Sequence, residues 1–168
     1  MADKFDPYAL LQALERQRVT YIVIGALGRV LHGSGEVTNG LDIVPSTREE
    51  NLRRLGLALE ELDARRPDGK PPVLEHDLVG RGVLELETDA GELKIVPEPI
   101  GTHGYDDLRR RAERPPLGQG LRPAVASLDD HARMLAALDR EQDHQPLAVL
   151  QRLIELEYGL GRAPTIEL

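Results

Sequence analysis

YIVIGALGRVLHGSGEVTNGLDIVP, from Tyr21 to Pro45, is the stretch on which the rest of the chain depends. The residues Val19 to Ile24 leading into it are continuously apolar and rich in β-branched side chains, which predicts a buried strand. Gly25 breaks that run. Ala26 to His32 reads as a short helix, and Gly33-Ser34-Gly35 as the loop that ends it. A second apolar run, Gly40 to Val44, predicts a second strand, stopped by Pro45.

Upstream, Pro7 to Arg18 has the helical period. Leu10, Leu11 and Leu14 fall on one side and Gln12, Glu15 and Arg16 on the other, with Pro7 suited to the first turn. Downstream, Ser46-Thr47-Arg48-Glu49 has the serine-to-glutamate spacing of a capping box. It predicts a helix to about Ala64 with a stripe of Leu52, Leu55, Leu59 and Leu62. Arg65 to Pro72 is a loop. Val83 to Val96 alternates as a hairpin does, with Thr88-Asp89-Ala90-Gly91 as its turn. A polar helix over Tyr105–Ala112 and a short strand over Leu121–Ala126 follow. Ser127 caps a helix reaching about Leu138, with Asp129 and Asp130 in its first turn. Pro146 opens the last helix, and residues 159–168 read as a loose tail. The order predicts one domain over residues 1–168, with its core at about 8–156. Its class is α/β or α+β: a small mixed sheet flanked by helices, with further helices at the C-terminus.

Composition narrows the function classes. At 168 residues the chain is long enough for one domain that buries on the order of 70% of its unfolded surface. With one Phe and no Trp, that core must be aliphatic. The absence of Cys excludes disulfides and thiolate metal sites. No apolar stretch approaches the roughly 20 residues that cross a bilayer, and the start lacks a signal-peptide core, so a cytoplasmic protein without a membrane partner is expected. A net charge of −8 opposes non-specific nucleic-acid binding. Arg109, Arg110, Arg111 and Arg114 are the densest basic cluster, and a solvated helix end is the plainer account of them. The five histidines show no zinc-ligand spacing and read as surface or loop residues.

Three segments taken together carry a resemblance. Tyr21 to Gly28, Thr38 to Val44 and Asn51 to Leu55 resemble the minimal nucleotidyltransferase fold, and within it the toxin-type branch, the AbiEii/MenT-like proteins of type IV toxin–antitoxin systems. Gly91 to Val96, Gly104 to Leu108 and Ala126 to Asp130 follow in the expected order, so the resemblance spans about Tyr8 to Leu156. It implies a site in which a glycine turn at a helix start meets the phosphates of a nucleoside triphosphate. In that family two carboxylates, two residues apart on one strand, and a third from a neighbouring strand hold two Mg²⁺ about 3.5–4 Å apart. On this chain the nucleotide-binding positions would be Gly25, Ala26, Gly28 and Arg29, with Arg140 and Asp143 from the later basic stretch.

The chain departs from that pattern where the metals would sit. Gly40-Leu41-Asp42 stands in place of acid-x-acid, leaving Asp42 as the only metal candidate of the pair. Lys94 stands where the third acid would align. Ala26 has no hydroxyl to offer, and Arg140-Glu141-Gln142-Asp143 lacks the lysine that relatives carry. One carboxylate cannot hold two hard dications against water. The expectation is therefore an Asp42–Lys94 ion pair, no cofactor, and a degenerate member that binds a nucleotide or a protein such as an antitoxin. Two alternatives stay open. One is a working transferase using Mg²⁺ and NTP, moving a nucleoside monophosphate to tRNA, a protein or a small molecule, with further acids such as Glu85, Glu87 or Asp89 helping Asp42 hold the metal. The other is a purely structural partner.

Overall fold

Tyr21–Ile24 forms β1, and all four residues are buried. In the computed structural model, which describes residues 4–78 and 82–167 (158–167 by backbone alone), the alternation of β1 explains its apolar run. Tyr21 and Val23 enter one core cluster, Ile22 and Ile24 a second on the opposite face. A strand covered on both sides has no room for polar residues.

The remaining elements are α1 (Pro7–Arg16), α2 (Gly25–Leu31), β2 (Gly40–Pro45), α3 (Glu49–Glu61), α4 (Leu74–Asp77), β3 (Leu84–Thr88), β4 (Gly91–Ile95), α5 (Tyr105–Leu108), α6 (Leu128–Leu138) and α7 (Glu141–Glu167). The sheet order is β1-β2-β4-β3. β1 and β2 are antiparallel, β2 and β4 parallel, β4 and β3 antiparallel, giving the small mixed sheet expected. The parallel pair requires a crossover, which α3 and β3 supply.

The main core lies under α1 and α3. Leu10, Leu11 and Leu14 meet Leu41, Ile43, Leu93 and Ile95 from the sheet and Leu55 and Leu59 from α3. The opposite face is only half covered. Ile22, Ile24 and Val44 pack beneath Leu108 of α5 and Met134 of α6. Beyond them β2, β4 and β3 turn Gly40, Asp42, Glu92, Lys94, Glu85 and Glu87 to that same side, as their register requires.

Several local expectations change. Ser46 does not cap α3: the N-cap is Arg48, without a side-chain hydrogen bond. Ser46 is instead buried, and its carbonyl accepts a 2.7 Å hydrogen bond from Asn51 Nδ2. Asn51 also donates to Thr20 O at 2.9 Å and accepts from Thr20 N–H at 2.7 Å, tying α3 to the start of β1. That stitch satisfies the N–H and C=O of Thr20 and the buried C=O of Ser46. The expected strand Leu121–Ala126 reduces to isolated bridges, from Leu121 to Gly118 and from Val125 to Val23 and Glu113, since Pro123 has no N–H to extend a ladder. The polar helix ends at Leu108, four residues early. α4 is a single turn that the sequence pattern does not signal. α7 starts at Glu141, ahead of Pro146, and continues as helix through Glu167 over the residues expected as a loose tail. Ser127 does cap α6, accepting from Asp130 N–H at 3.1 Å. No helix among the described residues is long and apolar enough to cross a membrane.

Candidate functional site

Gly25 carries the chain directly from β1 into α2 with φ +70°, a conformation that side chains disfavour. Space also demands glycine: a Cβ there would lie 2.2 Å from Asp42 Oδ2. The register Ile24↔Asp42 brings the carboxylate over the turn. Asp42 is mostly buried and makes no hydrogen bond or ion pair among the described residues. Burial pushes its carboxyl above the usual range, while the charges of Lys94 and Arg29 pull the other way and Glu92 and Glu85 push it further up.

The expected Asp42–Lys94 ion pair is not formed. Lys94 faces Asp42 on β2 and Glu85 on β3 in register, and its ammonium lies 3.8 Å from Glu85 Oε1 with 42% of the side chain exposed. The pairing has a physical reason. Meeting the exposed Glu85 leaves the ammonium hydrated, whereas closing on the buried Asp42 would strip its water. Lys94 still acts on Asp42 through space.

The first missing acid has a neighbour that sequence reasoning overlooked. A Cβ at Gly40 would sit 3.1 Å from Glu92 Cβ and 3.6 Å from Glu92 Oε2. The Glu92 carboxylate therefore leans over the space an acid at position 40 would use. The signal was present: Glu92 precedes Lys94 by two residues and shares its face.

The nucleotide-binding candidates fall into two connected groups. Arg29, 12% exposed, is forked by Glu36 through two 2.8 Å hydrogen bonds, and Ser34 Oγ donates to the same carboxylate at 2.8 Å. Arg29 holds the Glu36 carboxyl below its ordinary range. Arg140 forks the buried Asp143 at 2.5 and 3.0 Å, and the Asp143 charge reaches Glu36. The structure thus gathers Asp42, Lys94 and Arg29 within electrostatic reach, with Arg140 and Asp143 beside Glu36. Ala26 opens α2 next to Gly25 without a polar side chain. Gly28 serves another contact: a Cβ there would lie 2.6 Å from His131 Cε1, so it lets α2 and α6 touch.

His131 corrects the reading of the histidines as surface groups. It is 1% exposed, and burial lowers its pKa to about 3, with the charges of His32 and Arg29 adding to the shift. It is neutral at pH 7, stands edge-to-face against His32 at 5.7 Å, and has no hydrogen-bond partner at Nε2 among the described residues. His32 Nε2–H donates to Ala126 O at 2.7 Å. Two arginines of the basic cluster are paired locally: Arg109 with Asp106, and Arg111 with the buried Asp130.

Among the described residues, no group of three His, Asp or Glu side chains is arranged to hold a metal ion. Glycine at 40 and an ammonium at 94 do not fit a two-metal donor set.

No family model matches the chain, and no curated protein matches it in sequence. Solved structures do. The lincomycin-bound lincosamide antibiotic adenylyltransferase LnuA is 16% identical, covers 89% of this chain and 99% of its own, and superposes with a TM-score of 0.62. ANT(2")-Ia in complex with adenylyl-2"-tobramycin is 12% identical over 94% of this chain and 95% of its own, at 0.56. The solution structure of the same antibiotic-resistance factor gives 0.55 at 10% identity, with 96% of each chain covered. At these identities the likeness is one of architecture, and the architecture is that of the nucleotidyltransferases.

Proposed function

We propose that this chain is a degenerate nucleotidyltransferase-fold protein that binds a nucleotide without catalysing metal-dependent transfer. The observation carrying this reading is Lys94, which faces Asp42 in the β2–β4 register and holds its ammonium near Glu85, on the strand that would supply the third metal carboxylate. An ammonium there supplies positive charge to a polyphosphate without a dication. Arg29 also acts on Asp42 through space, with its guanidinium held by Glu36. The order of motifs from Tyr21 to Asp143 supports placing the chain with the toxin-type, AbiEii/MenT-like branch. That branch makes a cytoplasmic setting and a protein partner such as an antitoxin the natural context.

A second reading has its own support. Asp42 has no ion partner among the described residues, and Glu92 leans over Gly40. Mg²⁺ often takes only one or two protein carboxylates together with substrate phosphates. Asp42 and Glu92 would then hold Mg²⁺, and an NTP would give its nucleoside monophosphate to tRNA, a protein or a small molecule. The structural neighbours carry names of enzymes that adenylylate antibiotics.

The deciding experiment incubates the protein with each α-labelled NTP, Mg²⁺ or Mn²⁺, and total tRNA or small-molecule acceptors, beside Asp42→Ala and Glu92→Gln. The proposal expects no label transferred and a thermal shift on adding NTP. Transfer abolished by both substitutions would replace it with the second reading. The complementary test restores the acids at Gly40 and Lys94. Because Glu92 crowds position 40, Gly40→Asp and Lys94→Asp are combined with Glu92→Ser. Mg²⁺ binding gained by that variant is the expected outcome for a scaffold that has lost only its ligands.

A further inference from the structure

A second surface, on α3 and so across the sheet from the Asp42 face, stands independently of the nucleotide reading. A groove of about 1170 Å³ runs along the solvent side of α3 and is walled opposite by Pro71 to Glu75. Leu52, Leu59 and Leu74 line its apolar part, and Leu57 and Val73 stand 39% and 43% exposed beside them. Gly56 lies in the middle of α3, on the groove. A Cβ there would meet nothing within 4 Å, so no contact inside the chain requires this poor helix former.

The margin of the groove is acidic. Glu49, Glu60 and Glu75 make no ion pair among the described residues, whereas its two arginines are taken, Arg53 by Glu50 and Arg65 by Asp63. Glu49, Arg53, Gly56 and Glu60 recur at helical spacing, so the acids flank the open middle over about 16 Å of α3.

We infer that this groove docks a basic amphipathic helix of a partner protein. Apolar side chains of that helix, spaced three and four apart, enter over Gly56 between Leu57 and Val73. Its lysines and arginines meet Glu49, Glu60 and Glu75. Charge selects this occupant. With a net charge of −8, the chain repels a second copy of itself and draws in a cationic segment.

The test uses a fluorescein-labelled model helix with leucines along one face and lysines elsewhere. A leucine/glutamate helix and a scrambled leucine/lysine peptide are the controls. Binding is read by anisotropy and by amide chemical shifts of the full chain. The leucine/lysine helix is expected to bind saturably and to shift amides of residues 49–65 and 71–75. Gly56→Leu and Leu57→Lys, both at positions with free space or exposure, are expected to weaken it at least about tenfold. Glu60→Lys weakens it in a salt-dependent way, and Glu155→Lys on α7 leaves it unchanged. Melting curves establish that each variant is folded. The inference is overturned if the scrambled peptide binds as well, if Glu155→Lys weakens binding as much as Glu60→Lys, or if the shifts map elsewhere. A dimer in sedimentation that Leu57→Lys dissolves would give the groove to a second copy and overturn it equally.

Discussion

Two faces of one sheet obey different rules. On the face under α1 and α3, Leu41, Ile43, Leu93, Ile95, Leu84 and Leu86 are all buried and belong to one cluster. On the other face the same three strands present Gly40, Asp42, Glu92, Lys94, Glu85 and Glu87. Consecutive residues of β4 therefore meet opposite surroundings: Leu93 is buried in the core, and Lys94 stands partly exposed beside Glu85. The first face is specified by how much apolar area leaves water, which any aliphatic side chain satisfies. The second is specified by which charge sits where, and single substitutions rewrite it.

The sharpest way to break the comparison is to truncate both neighbours. Leu93→Ala, at a fully buried position, is expected to cost about 2–5 kcal/mol in urea denaturation. Lys94→Ala is expected to change stability by about 0.5 kcal/mol or less. Equal losses would mean that the polar face contributes to the fold as well.

Gly25→Ala comes next, at roughly 2–4 kcal/mol, because a Cβ both enters a left-handed backbone and strikes Asp42. Combining it with Asp42→Gly is expected to recover the collision but not the backbone strain. Strict additivity of the two substitutions would refute the contact between turn and carboxylate.

Acid probes the region where α2 meets α6. The folded pKa of His131, about 3, lies below its unfolded value of about 6.5. The unfolded chain thus binds the extra proton first, and stability is lost as pH falls from about 6.5 toward 3. His131→Leu is expected to flatten that limb of the stability–pH curve, and an unchanged limb would place its cause elsewhere.

Asp42 gives the opposite sign and the smallest effect. Its folded pKa is raised above 3.8, so the cost of its buried charge is absent below that pH and appears as pH rises through the folded value. Asp42→Asn is expected to match the wild type in acid and exceed it at pH 7. Wild type and variant running parallel across that range would mean that burial does not shift the carboxyl.

Legibility in the sequence followed the same division. Apart from the single turn α4, the strand and helix pattern from Pro7 to Ile95 could be read because burial imposes periods of 2 and 3.6 on apolar residues. The placement of Gly40, Asp42 and Lys94 on one face of the sheet was also readable, because strand alternation fixes it. The partner of Lys94 was not. Glu85 and Asp42 flank it in register, and exposure and side-chain desolvation decide between them, neither of which a linear pattern encodes. Glu92 escaped notice because its role depends on leaning across to another strand. His131 read as a surface or loop residue, and only the close approach at Gly28 shows why it is buried. Ser46 had the correct capping spacing, but Asn51 reached the buried backbone first.

The central claim is that Lys94 supplies the charge that a metal would bring to a bound polyphosphate. Calorimetric titration of ATP, GTP, CTP and UTP into the wild type and Lys94→Ala, each with excess EDTA or with Mg²⁺, tests it most directly. The account predicts that at least one nucleotide binds the wild type in EDTA, that Mg²⁺ adds little, and that Lys94→Ala weakens binding about tenfold or more. Binding that appears only with Mg²⁺ and survives Lys94→Ala would contradict it.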